Sequence, residues 1–241
     1  MALGRQKVIL LAAGLVAAVA VAATWALTRR SDPADSLRSN DPKRQQEAIS
    51  ALRADRDTPQ GMQGLAQAVG HRDAAVACMA LRAIAAGRDP SKPLEPEGLE
   101  VVRKAAADPR PQVRHTAIRV LEATTPPAPE DPTVPELLLK LFLTETSPQT
   151  RAAAANALGK LQYWPAVEPL LEALEDESVT VRGAAGAAIR KILGLDFGFR
   201  ASDPPQKRAA DAARIREHWK LQLPFHMDYV RRLRERRRAK P

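Results

Sequence analysis

The chain has 241 residues, enough for one or two domains with a buried core, and carries a formal charge of +9. Its single cysteine, Cys78, excludes an internal disulfide framework and any CxxC metal site, and its neighbours Ala77, Met79 and Ala80 make it a small buried hydrophobe. Aromatic residues are scarce at 4%, alanine and leucine dominate, and the alternation of Val, Ile and Thr that marks strands is rare, so the composition predicts an all-helical protein.

Residues 1–7 form a short basic N-terminus. Val8 to Leu27 is twenty residues without a charge, which as a helix spans about 30 Å, the thickness of a bilayer core. Arg5 and Lys7 flank it on one side and Arg29 and Arg30 on the other, with Trp25 at the place of an interfacial aromatic. Residues 8–27 therefore read as a single transmembrane anchor, or uncleaved signal, of a bacterial envelope protein. Ala18-Val19-Ala20 leaves a cleaved secretory signal as the alternative. A short basic N-terminus stays cytoplasmic and would export the remaining chain, whereas Arg29, Arg30 and Arg38 pull the other way.

Residues 28–40 read as a polar linker. Beyond it one pattern recurs: a starting residue, alanine at +4 and an aliphatic at +8. The starts are Arg44, Val76, Val113, Thr150 and Val181, spaced by 32, 37, 37 and 31 residues, the period of solenoids built from helix pairs. Offsets of 0, +4 and +8 share one helix face, so Ala48, Ala80, Ala117, Ala154 and Ala185 mark a close-packed seam. A preceding apolar helix reads from "PQGMQGLAQAVG", "PEGLEVVRKAAA", "VPELLLKLFL" and "WPAVEPLLEAL", with breakers such as Asp108-Pro109 and Ser147-Pro148 between partners. Only "DPADSL" precedes the first unit, which reads as a reduced capping repeat.

Asp-Pro followed by Val-Arg and then Ala-Ala-x-Ala-Leu-Gly-x-Leu resembles the HEAT-repeat pattern. "SPQTRAAAANALGKL" and "DPRPQVRHTAIRVL" match it well, and "DPKRQQEAISALRA" more weakly. The resemblance covers roughly residues 36–194. It implies a right-handed superhelix of antiparallel helix pairs whose second helices line a concave binding surface. It also implies an internal ladder of the arginine after the valine with the turn aspartate, carried here by Arg114, Arg151 and Arg182 with Asp108 and Asp176.

Residues 195–222 break the pattern and read as a C-terminal cap, with Phe197, Phe199 and Trp219 sealing the open end; an aromatic ligand pocket is the alternative. Residues 223–241 end in Arg231, Arg232, Arg234, Arg236, Arg237, Arg238 and Lys240, a basic tail able to hold anionic lipid or nucleic acid. Aromatics are not interleaved with these arginines, so stacking on bases is not indicated.

The four histidines form no HExxH or HxxxH pair, and no phosphate loop or nucleophile elbow occurs. HEAT-like deoxyhypusine hydroxylases bind iron through His-Glu pairs, and this chain has only the reverse, Glu217-His218. No enzyme activity, cofactor or metal is expected. The expected fold is an all-α HEAT-type solenoid of about five helix pairs over residues 41–194, with a capping helix and one preceding transmembrane helix. Its expected role is a membrane-anchored scaffold that binds an acidic protein segment on the inner face, through Arg82, Arg119, Asn156, Lys160 and Lys191. Ser50 and Ala187 share that outward register. Two other readings are binding of anionic lipid, nucleic acid or ribosome by the tail, and an enzyme site in the cap at Phe197 and Trp219.

Overall fold

The computed structural model describes residues 33–88, 93–127 and 131–239, with side chains as far as Met227. Among the described residues there are eleven α-helices and no strand. They are α1 (Pro33–Arg38), α2 (Pro42–Ala54), α3 (Pro59–Val69), α4 (Ala74–Ala85), α5 (Pro96–Ala105) and α6 (Pro111–Thr124). Then come α7 (Thr133–Thr144), α8 (Pro148–Lys160), α9 (Val167–Glu172, with a 3-10 turn on each side), α10 (Val179–Leu193) and α11 (Pro205–Ala239).

The helix starts follow from local chemistry. Asp41, Thr58, Asp73 and Ser147 each turn a side-chain oxygen onto a free backbone N–H of the first turn. Proline fills the first helical position of α2, α3, α5, α6 and α8, where its missing N–H costs nothing. Gly194, at φ 70°, ends α10 in the left-handed conformation.

Helices α2, α4, α6, α8 and α10 pack side by side in one layer, and α3, α5, α7 and α9 each lie against the helix that follows. The repeated alanines are the seam of that layer: Ala80, Ala117, Ala154 and Ala185 are all fully buried, as are Ile84, Leu121 and Leu158. Helices α8 and α10 approach closely, and a Cβ on Gly159 would stand 2.5 Å from the Cα of Ala188. Gly186 is required for a different reason, since its Cβ would meet the Phe199 ring at 2.8 Å.

Along one edge runs a ladder of side chains that bind the turns. Arg114 donates to the carbonyls of Asp108 and Pro109, both at 2.9 Å, and forks onto Glu145 at 2.6 and 2.7 Å. Arg182 repeats the first half, reaching the carbonyls of Asp176 and Glu177 at 2.7 and 3.0 Å, and donates to Ala201 at 3.0 Å. Arg151 bridges to Asp176, with one nitrogen 3.0 Å from both carboxylate oxygens. The expected pairing thus holds for Arg151 with Asp176, but the carboxylate facing Arg114 is Glu145. Asp108 is taken by Arg110, at 2.8 Å.

The reason lies one repeat earlier. The ladder position of α4 is Ala77, fully buried and without a donor, so the carbonyls of His71 and Arg72 lack their arginine. Arg110 reaches back from the next repeat and donates to both, at 2.6 and 3.2 Å. At the start of the row Gln45 occupies the position and donates to Ser39 O at 2.7 Å.

Two expectations need correction. The stretch 28–40 is not a plain linker: residues 33–38 form α1, whose Leu37 is buried against α2 and α3 and closes the first seam. The chain after residue 222 does not leave the cap helix either, because α11 continues without interruption to Ala239, through Pro224. The segment 8–27 lies outside the described residues, and among those described no helix is long and apolar enough to cross a membrane.

Candidate binding surface

The outward register of the second-helix layer places Ser50 on α2, Arg82 on α4, Arg119 on α6, Asn156 on α8 and Ala187 on α10. Ser50, Arg82, Arg119 and Lys191 are exposed, while Asn156, Lys160 and Ala187 are half-buried. The layer brings some of these together. Arg119 pairs with Glu122 one turn on, and Lys160 of α8 donates to the Glu122 backbone carbonyl at 2.6 Å. Asn156 and Lys191 make no side-chain hydrogen bond or ion pair among the described residues, and Lys191 stands apart on α10.

His115 belongs to the same patch. It is half-buried on α6, one turn before Arg119. Burial is the first cause that pushes its pKa below the ordinary histidine value, and the positive charges of Arg119 and Arg82 are the next. His115 therefore reports that the two arginines act on one region. Sequence reasoning missed His115 and Glu122 as members, although spacings of four and three from Arg119 on one helix were the available signal.

The aromatic cap is built for packing. Trp219 is 1% exposed and donates from Nε1 to Glu168 of α9 at 2.7 Å, so α11 is pinned across the last repeat. His226 stacks on Trp164 with ring centres 5.7 Å apart and lies 5.3 Å from Trp219; burial lowers its pKa. Phe197 meets His218 edge-on at 5.2 Å, and Phe199 covers Gly186. A shallow cleft lies between Phe197, Phe199 and Ile215, but its one charged pair, Arg190 with Asp196, is a solvent-exposed bridge of 3.4 Å. Nothing there pairs a nucleophile with a base. Among the described residues no group of three or more His, Cys, Asp or Glu is placed to hold a metal ion.

A family model for HEAT repeats matches residues 134–196. Among solved structures, an engineered protein known from its crystal structure is similar at 24% identity and a TM-score of 0.50, covering 79% of this chain and 87% of its own. A designed armadillo repeat protein in complex with the peptide (KR)4 is similar at 19% identity and a TM-score of 0.49, covering 80% of this chain and 92% of its own. No curated protein matches the sequence.

Proposed function

We propose that this HEAT-like repeat protein is a non-enzymatic scaffold that binds an acidic protein segment on the outward face of α4, α6, α8 and α10. We propose further that residues 8–27 hold it at a membrane. The observation that carries the binding reading is the exposure of Arg82 and Arg119 on adjacent helices whose backbones are fixed by a continuous seam and ladder. Fixed backbones spare the cost of ordering the helices on binding, and exposed charges of this kind set association rate and salt dependence. Helix axes in contact lie about 8–10 Å apart, close to three residues of extended chain at about 3.3 Å each. An extended ligand with an acidic residue at about every third position would therefore meet Arg82 and Arg119 in turn.

The test uses the full chain in detergent micelles and a fluorescent peptide with glutamate at every third position. Anisotropy should show salt-sensitive binding, weakened at least about tenfold by Arg82→Glu with Arg119→Glu, a loss of about 1.4 kcal/mol or more. Equal affinity in wild type and variant would remove the surface from consideration. Protease access to a C-terminal tag in intact spheroplasts tests the envelope topology. Loss of the tag before lysis supports an extracytoplasmic solenoid, and protection until lysis overturns that placement.

A second reading rests on charge. Pro205–Ala239 holds eleven arginines and lysines against four acidic residues, a net +7 of the +9 on the whole chain. The solenoid proper is nearly neutral, so an anionic ligand of the long helix α11 is the other function the charge distribution favours.

A further inference from the structure

Among the described residues, three of the six large apolar side chains that stand exposed fall within seven residues of α11: Leu221 at 71%, Phe225 at 73% and Met227 at 56%. The other three, Leu143, Val179 and Leu195, are scattered singly over the solenoid. Isolated exposed apolar residues need no explanation, whereas a cluster does. The helix docks on α9 through Ala212, Ile215 and Trp219, and His226 still stacks on Trp164. At about 100° per residue, Leu221 and Phe225 share a face turned roughly 100–160° from Trp219 and His226. Thus the same helix is held by one face and presents Leu221 and Phe225 outward on another, while Met227 lies roughly 120–160° from that pair, on the opposite flank. Directly beyond, Arg231 to Arg238 contains six arginines and a single glutamate.

We propose that α11 from Leu221 onward is an interfacial helix that lies on an anionic bilayer, with Leu221 and Phe225 among the acyl chains and the arginines on lipid phosphates. This commits the second reading above to one ligand. Cations alone would serve a nucleic acid as well as a lipid surface, but exposed aliphatic side chains give nothing to a phosphate backbone and do partition into acyl chains. The two signals reinforce each other, since stable attachment to a bilayer needs apolar insertion together with a basic patch. With Val8 to Leu27 as anchor, residues 28–32 reach at most about 18 Å before α1. Contact at α11 would then hold both ends of the solenoid at the surface and lay its row of helices along the membrane.

The experiment uses the lone cysteine to advantage. In a Cys78→Ser background of the full chain, Asp228→Cys, about 20° round the helix from Leu221 and about 60° from Phe225, carries an environment-sensitive fluorophore and leaves Leu221 and Phe225 native. The protein is reconstituted in nanodiscs of phosphatidylcholine alone or mixed with phosphatidylglycerol. Emission should shift to the blue and be quenched by nitroxide-labelled lipid only in the anionic discs. Leu221→Asp with Phe225→Asp should abolish both effects, as should glutamine at Arg231, Arg232 and Arg234, while the same dye at Ser50→Cys should not respond. Unchanged emission in both discs, or an equal shift in both, overturns the proposal. If anionic discs leave the emission unchanged and an RNA oligonucleotide shifts it, the anionic-ligand reading stands and the bilayer does not.

Discussion

The turns of the third and fifth repeats and those of the first two pose one problem and solve it with different residues. In all but the α8 turn, one or two backbone carbonyls before the second helix take a side-chain donor from within the fold. In α6 and α10 an arginine one residue after the helix's buried starting position supplies it, as Arg114 and Arg182 show, whereas in α8 Arg151 turns to the Asp176 carboxylate instead. In α4 that position is Ala77, and Arg110 from the following repeat takes over the same two carbonyls; in α2 Gln45 serves one of them. The choice of donor therefore follows the carbonyls, half-buried acceptors that a side chain from either repeat can reach.

The sharpest way to break the later repeats is at Glu145, whose side chain is 3% exposed and gripped by Arg114 at two points. Glu145→Ala leaves the guanidinium half-buried without its partner and should lower stability by about 3 kcal/mol. The urea unfolding midpoint measures it. Replacing both, Arg114→Met with Glu145→Leu, should cost less than the sum of the two single changes, because no lone charge remains even though the carbonyls of Asp108 and Pro109 lose their donor. A double variant as damaged as the sum of the singles would mean that the two side chains are not coupled. The equivalent Arg151–Asp176 bridge uses a single nitrogen and leaves Arg151 Nε without a partner, so Asp176→Ala should cost less than Glu145→Ala.

Next comes the seam. Ala154→Leu has no space to enter and should cost about 1–3 kcal/mol by overpacking, read again as an unfolding midpoint. Gly159→Ala belongs to the same class, with a backbone atom of α10 in the way. Wild-type stability in Ala154→Leu would refute the close approach of α6, α8 and α10. Smaller still is Arg110→Ala, about 1–2 kcal/mol, since its side chain is 26% exposed and water can serve some of the freed carbonyls. A loss as large as that of Glu145→Ala would place the main strain of the row at the Ala77 repeat.

Much of this architecture was legible. The alanine spacing marked the five second helices, and Arg114, Arg151 and Arg182 were readable because each sits at a fixed offset on its own helix. Glu145 was not, because the turn before α8 reads Glu-Thr-Ser-Pro: a glutamate stands five residues before Thr150, where Asp108 and Asp176 stand five before Val113 and Val181, and no Asp-Pro signature marks it. Arg110 was illegible in principle, as its acceptors lie 38 and 39 residues away and are defined by what Ala77 lacks. The helical nature of residues 33–38 was hidden by their brevity, and only Leu37 against the first seam accounts for it. On the candidate surface, Arg82 and Arg119 follow from register alone. The turn of Lys160 toward the Glu122 carbonyl depends on a neighbouring helix that no local pattern describes.

The smallest predicted effect separates two parts of the molecule by pH. Arg110 holds the Asp108 carboxyl below its ordinary pKa, and Arg114 does the same for Glu145. A carboxylate whose pKa is lower folded than unfolded contributes stability that is complete above the unfolded value and lost as pH falls through the folded one. That limb begins near pH ~4.3 and continues downward. His115 titrates earlier. Burial and the arginine charges lower its pKa in the fold, so the unfolded chain takes up a proton first and stability declines as pH falls below about 6.5. His226, with its pKa lowered by burial alone, adds a decline of the same sign from the cap. Urea midpoints measured from pH 7.5 to 3 should therefore fall in two steps. His115→Gln should shrink the upper step and leave the lower one in place, whereas Glu145→Gln should shrink the lower step alone. An upper step unchanged in His115→Gln would assign it to the cap histidine and detach His115 from the field of Arg82 and Arg119.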